Sequence, residues 1–312
     1  MSRYLITGIA GFIGSTLAHT LVEQGHDVRG IDNLSTGSLD NLAGIRDKID
    51  FQQMDLQDVA GMKSACEGID FILHQAALAS VPRSVKDPLT SHQSNINGTL
   101  NLLLAARDAK VRRIVYAASS SAYGDQPTQP KQEDMPPLPL SPYAVQKLAC
   151  EYYIQAFYRS YGLEGICLRY FNVFGPRQAA DSPYSGVIAQ FITKMMAGET
   201  PTIFGDGMTS RDFTYIDNAV SANLLACEAP SSVATGRVFN IGTGKSHTLN
   251  EVYTTIAGLL GFTGKPIYGP PRAGDIRHSL ADISRAGKEL GYQPKAHFHD
   301  GLQKTVAWYL VE

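Results

Sequence analysis

Short apolar runs alternate with longer amphipathic stretches over the first 170 residues. Arg3-Tyr-Leu-Ile-Thr7, Asp27-Val-Arg-Gly-Ile-Asp32, a run near Phe51–Met54, Phe71-Ile-Leu-His74, Arg113-Ile-Val-Tyr-Ala-Ala118 and Gly165-Ile-Cys-Leu-Arg-Tyr170 have the length and apolar content of buried strands. Helical patterns fill the gaps, among them one ending near Gln24, one over roughly Pro88 to Ala109 and one over Pro142 to Tyr161. Strands that alternate with helices predict a parallel sheet covered on both faces. After Tyr170 the period changes. A helix is expected over Val187–Ala197, then strands at Pro201–Phe204 and around Arg211–Tyr215. A helix from about Asp217 to Cys227, a strand Val238–Ile241 and helices over Leu249–Leu260, Ile283–Leu290 and Gly301–Val311 follow, between Gly- and Pro-rich turns.

The chain's 312 residues, 44% hydrophobic and 18% charged, suffice for one large domain and a smaller one. A net charge of −2 advertises neither nucleic acid nor an anionic membrane as partner. Cysteines 66, 150, 167 and 227 follow no metal or disulfide spacing and read as buried thiols in a reducing compartment. The first strand begins almost at Met1, and no apolar run reaches the roughly 18 residues of a membrane span. A soluble, cytoplasmic protein without metal is expected.

The first strand runs into Gly8-Ile-Ala-Gly11-Phe12-Ile13-Gly14 and then a helix. Glycines at that junction let backbone turn and approach a diphosphate, and the helix N-terminus offers free N–H groups. Asp32 ends the second strand eighteen residues after Gly14. A carboxylate there accepts ribose hydroxyls and repels a 2′-phosphate, and Asn33-Leu-Ser35-Thr36-Gly37 brings no arginine, so NAD is favoured over NADP. Asp55-Leu56 suits the adenine, or Asp55 is simply a helix cap. Gln75-Ala76-Ala77 are small or polar where backbone would cross the cofactor. His74 reads as a packed histidine. Ser119-Ser120-Ser121 closes the fifth strand, whose carboxyl end opens into the same crevice.

Tyr143 and Lys147 stand four apart, on one face of the predicted helix that Ser141 can cap and Pro142 can start. A lysine ammonium beside a phenol lowers the phenol pKa from about 10 and fits it for proton transfer near neutral pH. Alone, the pair also reads as a packed tyrosine beside a solvated lysine. Arg177, Arg211 and Arg272 fall in turns or at strand ends of the second half, where paired N–H groups would suit a diphosphate.

Taken together, Thr7-Gly8-x-x-Gly11-Phe-Ile-Gly14, Asp32-Asn33-Leu34, Ser119-Ser-Ser-Ala-Tyr123-Gly124, Tyr143-x-x-x-Lys147, Arg169-Tyr-Phe-Asn172-Val-Phe-Gly, Gly207-Met-Thr-Ser-Arg211-Asp and Arg272-Ala-Gly-Asp275 resemble the extended short-chain dehydrogenases/reductases, and more narrowly the UDP-hexose 4-epimerases. The likeness covers essentially the whole chain. His74–Ser84 and Arg277-His278-Ser279-Leu-Ala-Asp282 are similar to the bacterial branch acting on UDP-N-acetylglucosamine and UDP-N-acetylgalactosamine. The resemblance implies an α/β fold: a Rossmann-type doubly wound parallel sheet over residues 1–170, a smaller C-terminal α/β substrate domain over 171–312, and a return of chain to the first around 211–240. It implies a catalytic triad of Ser119, Tyr143 and Lys147. Cofactor contacts are implied at Gly8, Gly11, Phe12, Ile13, Gly14, Asp32, Asn33, Ser35, Thr36, Gly37, Asp55, Leu56, Gln75, Ala76, Ala77, Asn95 and Tyr170, besides Tyr143 and Lys147. Substrate contacts are implied at Ser80, Ser119, Ser120, Ser121, Tyr143, Asn172, Val187, Thr202, Phe204, Arg211, Arg272, Asp275 and Ser279. A homodimer joined through the two long helices is also implied.

The implied reaction is NAD-dependent C4 epimerisation of a UDP-hexose through a 4-keto sugar. A serine at 279, where a tyrosine would narrow the sugar pocket, leaves room for a 2-acetamido group. Sister dehydratases carry an Asp-Glu pair where Ser120 and Ser121 stand here, and the related decarboxylases a Glu at Ser121. A C4-epimerase of UDP-glucuronate or another nucleotide sugar stays open, whereas a non-enzymatic NAD-sensing protein would not be expected to keep Tyr143, Lys147 and Ser119 together.

Overall fold

Six of the apolar runs form strands of one parallel sheet: β1 (Arg3–Thr7), β2 (Asp27–Asp32), β3 (Asp50–Gln53), β4 (Phe71–His74), β5 (Arg113–Ser119) and β6 (Glu164–Tyr170). They carry apolar residues in both registers because helices cover both faces. Alternate residues enter different cores: Ile6 packs with Leu17, Leu21 and Val115, whereas its neighbour Leu5 packs with Met62, Leu102 and Ile154. The computed structural model describes residues 1–180, 186–271 and 276–311.

Outside the large sheet the strands are two or three residues long: β7 (Val173–Phe174), β8 (Thr202–Phe204), β9 (Ser210–Arg211) and β10 (Thr214–Tyr215), with β12 (His247–Thr248), β13 (Ile267–Gly269) and β14 (His278–Ser279) later on. Between them β11 (Thr235–Ile241) returns to the large sheet as its seventh strand, pairing parallel with β6. The order β11-β6-β5-β4-β1-β2-β3 reverses direction between β4 and β1, and the carboxyl ends of strands at such a switch point form a binding crevice.

The first helices are α1 (Phe12–Glu23), α2 (Val59–Cys66), α3 (Val81–Lys86), α4 (Pro88–His92) and α5 (Gly98–Asp108). α6 (Pro142–Tyr161) and α7 (Val187–Met196) follow, then α8 (Ile216–Glu228), α9 (Leu249–Leu260), α10 (Ser284–Leu290) and α11 (Phe298–Tyr309). No helix among the described residues is long and apolar enough to cross a membrane.

Two expectations are corrected. The helix expected over Pro88–Ala109 is α4 and α5 joined by a π turn at Gln93–Asn97, preceded by the unexpected α3. The strand expected around Arg211–Tyr215 is split at Asp212. That buried carboxylate accepts the N–H groups of Thr243 at 2.8 Å and Gly244 at 3.0 Å and draws the chain out of the ladder. β9 therefore pairs with β12 and β14, and β10 with β7.

Candidate active site

The start of α6 is fixed at its first exposed N–H groups. Ser141 accepts the N–H of Ala144 at 3.2 Å, and Pro142 takes the first helical position. Ser84, fully buried on α3, accepts the Tyr143 N–H at 3.1 Å and donates to Val81 O, so the backbone that carries the phenol is held from outside its own helix. Lys147 lies one turn on, buried, and donates through Nζ to Ala117 O of β5 at 2.8 Å.

At the end of β5, Ser119 Oγ accepts the Ser121 N–H at 3.2 Å and hydrogen-bonds the Tyr143 phenol. The three residues of the expected triad thus converge at the carboxyl end of one central strand. The expected effect of the lysine on the tyrosine is corrected. Lys147 Nζ is 5.9 Å from the Tyr143 ring centre, and burial outweighs the Ser119 hydrogen bond, pushing the phenol up to about 12. Burial also lowers the Lys147 ammonium to about 8, against the opposing pull of Cys150 and Glu151.

The glycine turn meets β4's continuation closely. Gly8 sits at φ +69°, and a Cβ there would lie 2.8 Å from Ala76 Cα; one on Gly14 would lie 2.1 Å from Gly8 O. Only glycine lets these backbones touch, and the cradle so formed fits a dinucleotide diphosphate. Its cleft is lined by Gly8, Gly11, Asp32, Asn33, Ser35, Thr36, Asp55, Leu56, Gln75, Ala76 and Ala77, all expected at the cofactor. Phe12, Ile13 and Gly14 form the first turn of α1 beside it, and Gly37 lies against Ala10 backbone. Asp32 accepts Ala10 N–H at 2.9 Å and Leu34 N–H at 2.8 Å; burial pushes its carboxyl up while these bonds pull it back. Asn33 Nδ2 donates to Asp55 at 2.6 Å, so the Asp55 carboxylate is tied to the β2 loop.

Several supports of this cleft were not legible. Asn223, buried on α8, donates to Tyr170 Oη at 2.7 Å and accepts from Gln75 Nε2 at 3.1 Å, locking two expected cofactor residues together. Asn95 is itself a support here: buried, it accepts the Leu78 N–H at 2.8 Å and donates to Gln146 Oε1 at 2.8 Å, behind the cleft wall. His74 is a strut between Thr7 Oγ1 at 2.7 Å and Thr99 Oγ1 at 2.9 Å. Thr99 already donates to Asn95 O, so it accepts from His74 Nε2–H, and Nδ1 accepts from Thr7. Burial holds this imidazole neutral, its pKa lowered to about 3.

A second cleft opens beyond β6. Asn172, Val187, Thr202, Phe204 and Arg211 line it, five expected substrate residues from four separate places in the chain, together with Gln190, Phe191 and Thr209. Ser119 and Tyr170 are register partners on β5 and β6, so Asn172 follows two residues after a strand end level with the triad. Ser279, buried on β14, pairs in register with Arg211. Ser80 caps α3 through the Arg83 N–H, and Ser120 and Ser121 follow Ser119 in a short 3-10 turn. Arg272 and Asp275 lie outside the described residues.

Residues 4–242 match the NAD dependent epimerase/dehydratase family. The chain is 41% identical to a UDP-glucose 4-epimerase of Mycolicibacterium smegmatis, over 98% of each chain. Its structure is similar to that of a UDP-N-acetylglucosamine 4-epimerase from Methanobrevibacter ruminantium M1 in complex with UDP-N-acetylmuramic acid, with TM-score 0.95, 40% identity and coverage of 99% and 98%. It is also similar to a Thermus thermophilus UDP-glucose 4-epimerase in complex with NAD, with TM-score 0.89, 35% identity and 99% coverage of both chains. A glycine cradle at a sheet switch point, a Ser-Tyr-Lys cluster at the carboxyl end of β5 and a match over most of the chain agree: the protein belongs to the NAD dependent epimerase/dehydratase family.

Proposed function

We propose that this chain interconverts UDP-hexoses that differ at C4, through a 4-keto sugar, with UDP-N-acetylglucosamine/UDP-N-acetylgalactosamine and UDP-glucose/UDP-galactose as substrates. The observation that carries the reading is that Ser119, Tyr143 and Lys147 gather at the carboxyl end of β5 in a chain that also has one cleft fitted to a dinucleotide and one lined by the residues expected to hold UDP. Gly8, Gly11 and the N-terminus of α1 hold the cofactor diphosphate, and Asp32 its adenosine ribose. Bound there, NAD would supply the acceptor and donor for the C4 hydride. Tyr143 accepts the sugar O4 proton and returns it. Ser119, its oxygen already accepting the Ser121 N–H, keeps its proton directed at O4 or the phenol. The phenol is reluctant to ionise in the protein alone, so Lys147 serves by keeping positive charge beside it. Asn172 and Arg211 anchor UDP while the ketone turns over and presents its other face.

Residues 171–312 form mainly the sugar-nucleotide half in this reading. Val85, Leu89, Val145 and Tyr152 expose half or more of their surface on α3, α4 and α6, which supports a homodimer through these helices; the test is mass in solution. Four free, buried cysteines accord with a cytoplasmic enzyme.

The deciding assay incubates purified protein separately with UDP-glucose, UDP-N-acetylglucosamine and UDP-glucuronate and resolves the epimers by chromatography. Epimers of the first two are expected; conversion of UDP-glucuronate alone would reassign the substrate. Ser279→Tyr should abolish turnover of the acetamido sugars and largely keep the plain hexoses. An unchanged ratio of kcat/KM between the two classes would show that position 279 does not set pocket size.

A further inference from the structure

One buried ion pair lies behind the triad and has no place in the reaction just described. Glu151 stands one turn beyond Lys147 on α6 and is 1% exposed. Arg169 of β6 grips it through Nε to Oε1 at 2.9 Å and Nη2 to Oε2 at 2.7 Å. Behind them the Arg169 guanidinium lies 4.7 Å from the centre of the Tyr123 ring, whose hydroxyl donates to Asn240 at 2.7 Å. Desolvating two charges is so costly that well-packed apolar residues are often at least as stable in their place. The pair therefore calls for an account other than stability.

The surroundings of Lys147 supply one. From β5 it meets Ala117 O and the Tyr116 ring, 4.9 Å from Nζ; from β4 it faces His74; from its own helix, Tyr143, Cys150 and Glu151. Burial raises the Tyr116 phenol and the Cys150 thiol, as it does Tyr143, and His74 stays neutral between two threonines. Burial raises the Glu151 carboxyl too, but a guanidinium cannot give up its proton, and a two-pronged grip by it keeps Glu151 ionised. Glu151, one turn along α6 on the same helix face, is thus the ionised group of opposite sign near Lys147, with the Arg169 guanidinium as its own counter-charge.

We propose that Glu151 is a positioning residue for the reaction: clamped as a carboxylate by Arg169, it keeps Lys147 in its ammonium form and so widens, on the alkaline side, the pH range in which Tyr143 exchanges its proton. This rests on the epimerase reading for its catalytic part only. The charge relation between Glu151 and Lys147 can be read without turnover.

Two variants and a control test it. Glu151→Gln removes the charge at constant shape but strands Arg169, so Glu151→Gln/Arg169→Met removes both members. Glu151→Asp keeps the charge and loosens the grip. Each is followed by thermal melting, by kcat against pH, and by nitrogen-labelled lysine NMR, in which the Lys147 signal is identified by its loss in Lys147→Met. In the double variant the Lys147 titration and the alkaline limb of kcat should both move toward acid by roughly half to one pH unit, since a nearby anion favours the ammonium. Glu151→Asp should keep the wild-type titration whatever its melting temperature. If the double variant folds and Lys147 titrates as in wild type, the pair is structural and the proposal fails. If Glu151→Asp moves the titration as far as the double variant does, charge is not the cause and the proposal also fails. A Lys147 shift in a protein that epimerises no UDP-sugar would overturn the epimerase reading and leave the charge relation standing.

Discussion

The two clefts are built by different means. The cofactor crevice stands on parallel strands of four to seven residues, most of them paired on both sides. Its close approaches are backbone on backbone, as between Gly8 and Ala76, and its polar side chains hold one another, as Asn223 holds Gln75 and Tyr170. The substrate cleft is walled by two- and three-residue strands in small separate sheets and by side chains from α7. A cleft closed by backbone tolerates little variation, whereas one closed by side chains can change its occupant with one substitution. The triad sits on the rigid side, with Tyr143 N–H, Lys147 Nζ and Ser119 Oγ each tied down.

That contrast can be broken at three depths. The largest effect is expected at the triad: Tyr143→Phe should lower kcat by roughly a thousandfold or more, as loss of a positioned proton carrier does, while calorimetry still finds UDP binding in the cleft. Turnover near wild type would remove the phenol from the mechanism. On the cofactor side, Asp32→Ala should weaken NAD binding by roughly ten- to a hundredfold, the worth of charge-assisted hydrogen bonds to hydroxyls, because Asp32 also carries the Ala10 and Leu34 N–H groups. A wild type that titrates more tightly with NADP would contradict the second-strand reading. On the substrate side, Arg211→Ala should raise KM for UDP-sugars by about tenfold with kcat less affected, and more than Arg159→Ala on α6 does. Equal small changes would take Arg211 out of the diphosphate site.

How far each cleft could be read from sequence follows from the same difference. Gly8 and Gly14 are legible because a backbone contact admits no other residue, and Tyr143 and Lys147 because helical spacing fixes their common face. The lining of the second cleft came through resemblance, since Asn172, Val187, Thr202 and Arg211 share no local pattern. The supports were the least visible. Asn223 and Glu151 look like solvated positions on their helices, and nothing local reveals that Tyr170 and Arg169 of β6 meet them in the interior. The Tyr143 shift runs against its expected direction for the same reason: burial is a property of the assembled fold, and it outweighs a lysine one turn away.

The late return of the chain to the large sheet matters during synthesis. β6, buried along nearly its whole length, has β5 on one side and waits for β11 on the other. At roughly 5–20 residues per second, the stretch between them takes the ribosome on the order of 3–13 seconds. For that interval the nascent protein presents an apolar strand with an open row of N–H and C=O groups, the surface most prone to pair with a neighbouring chain. Ribosome-stalled chains ending just before Thr235 should therefore be captured by chaperones and digested by protease in the β5–β6 region, and chains that have released Ile241 should resist both.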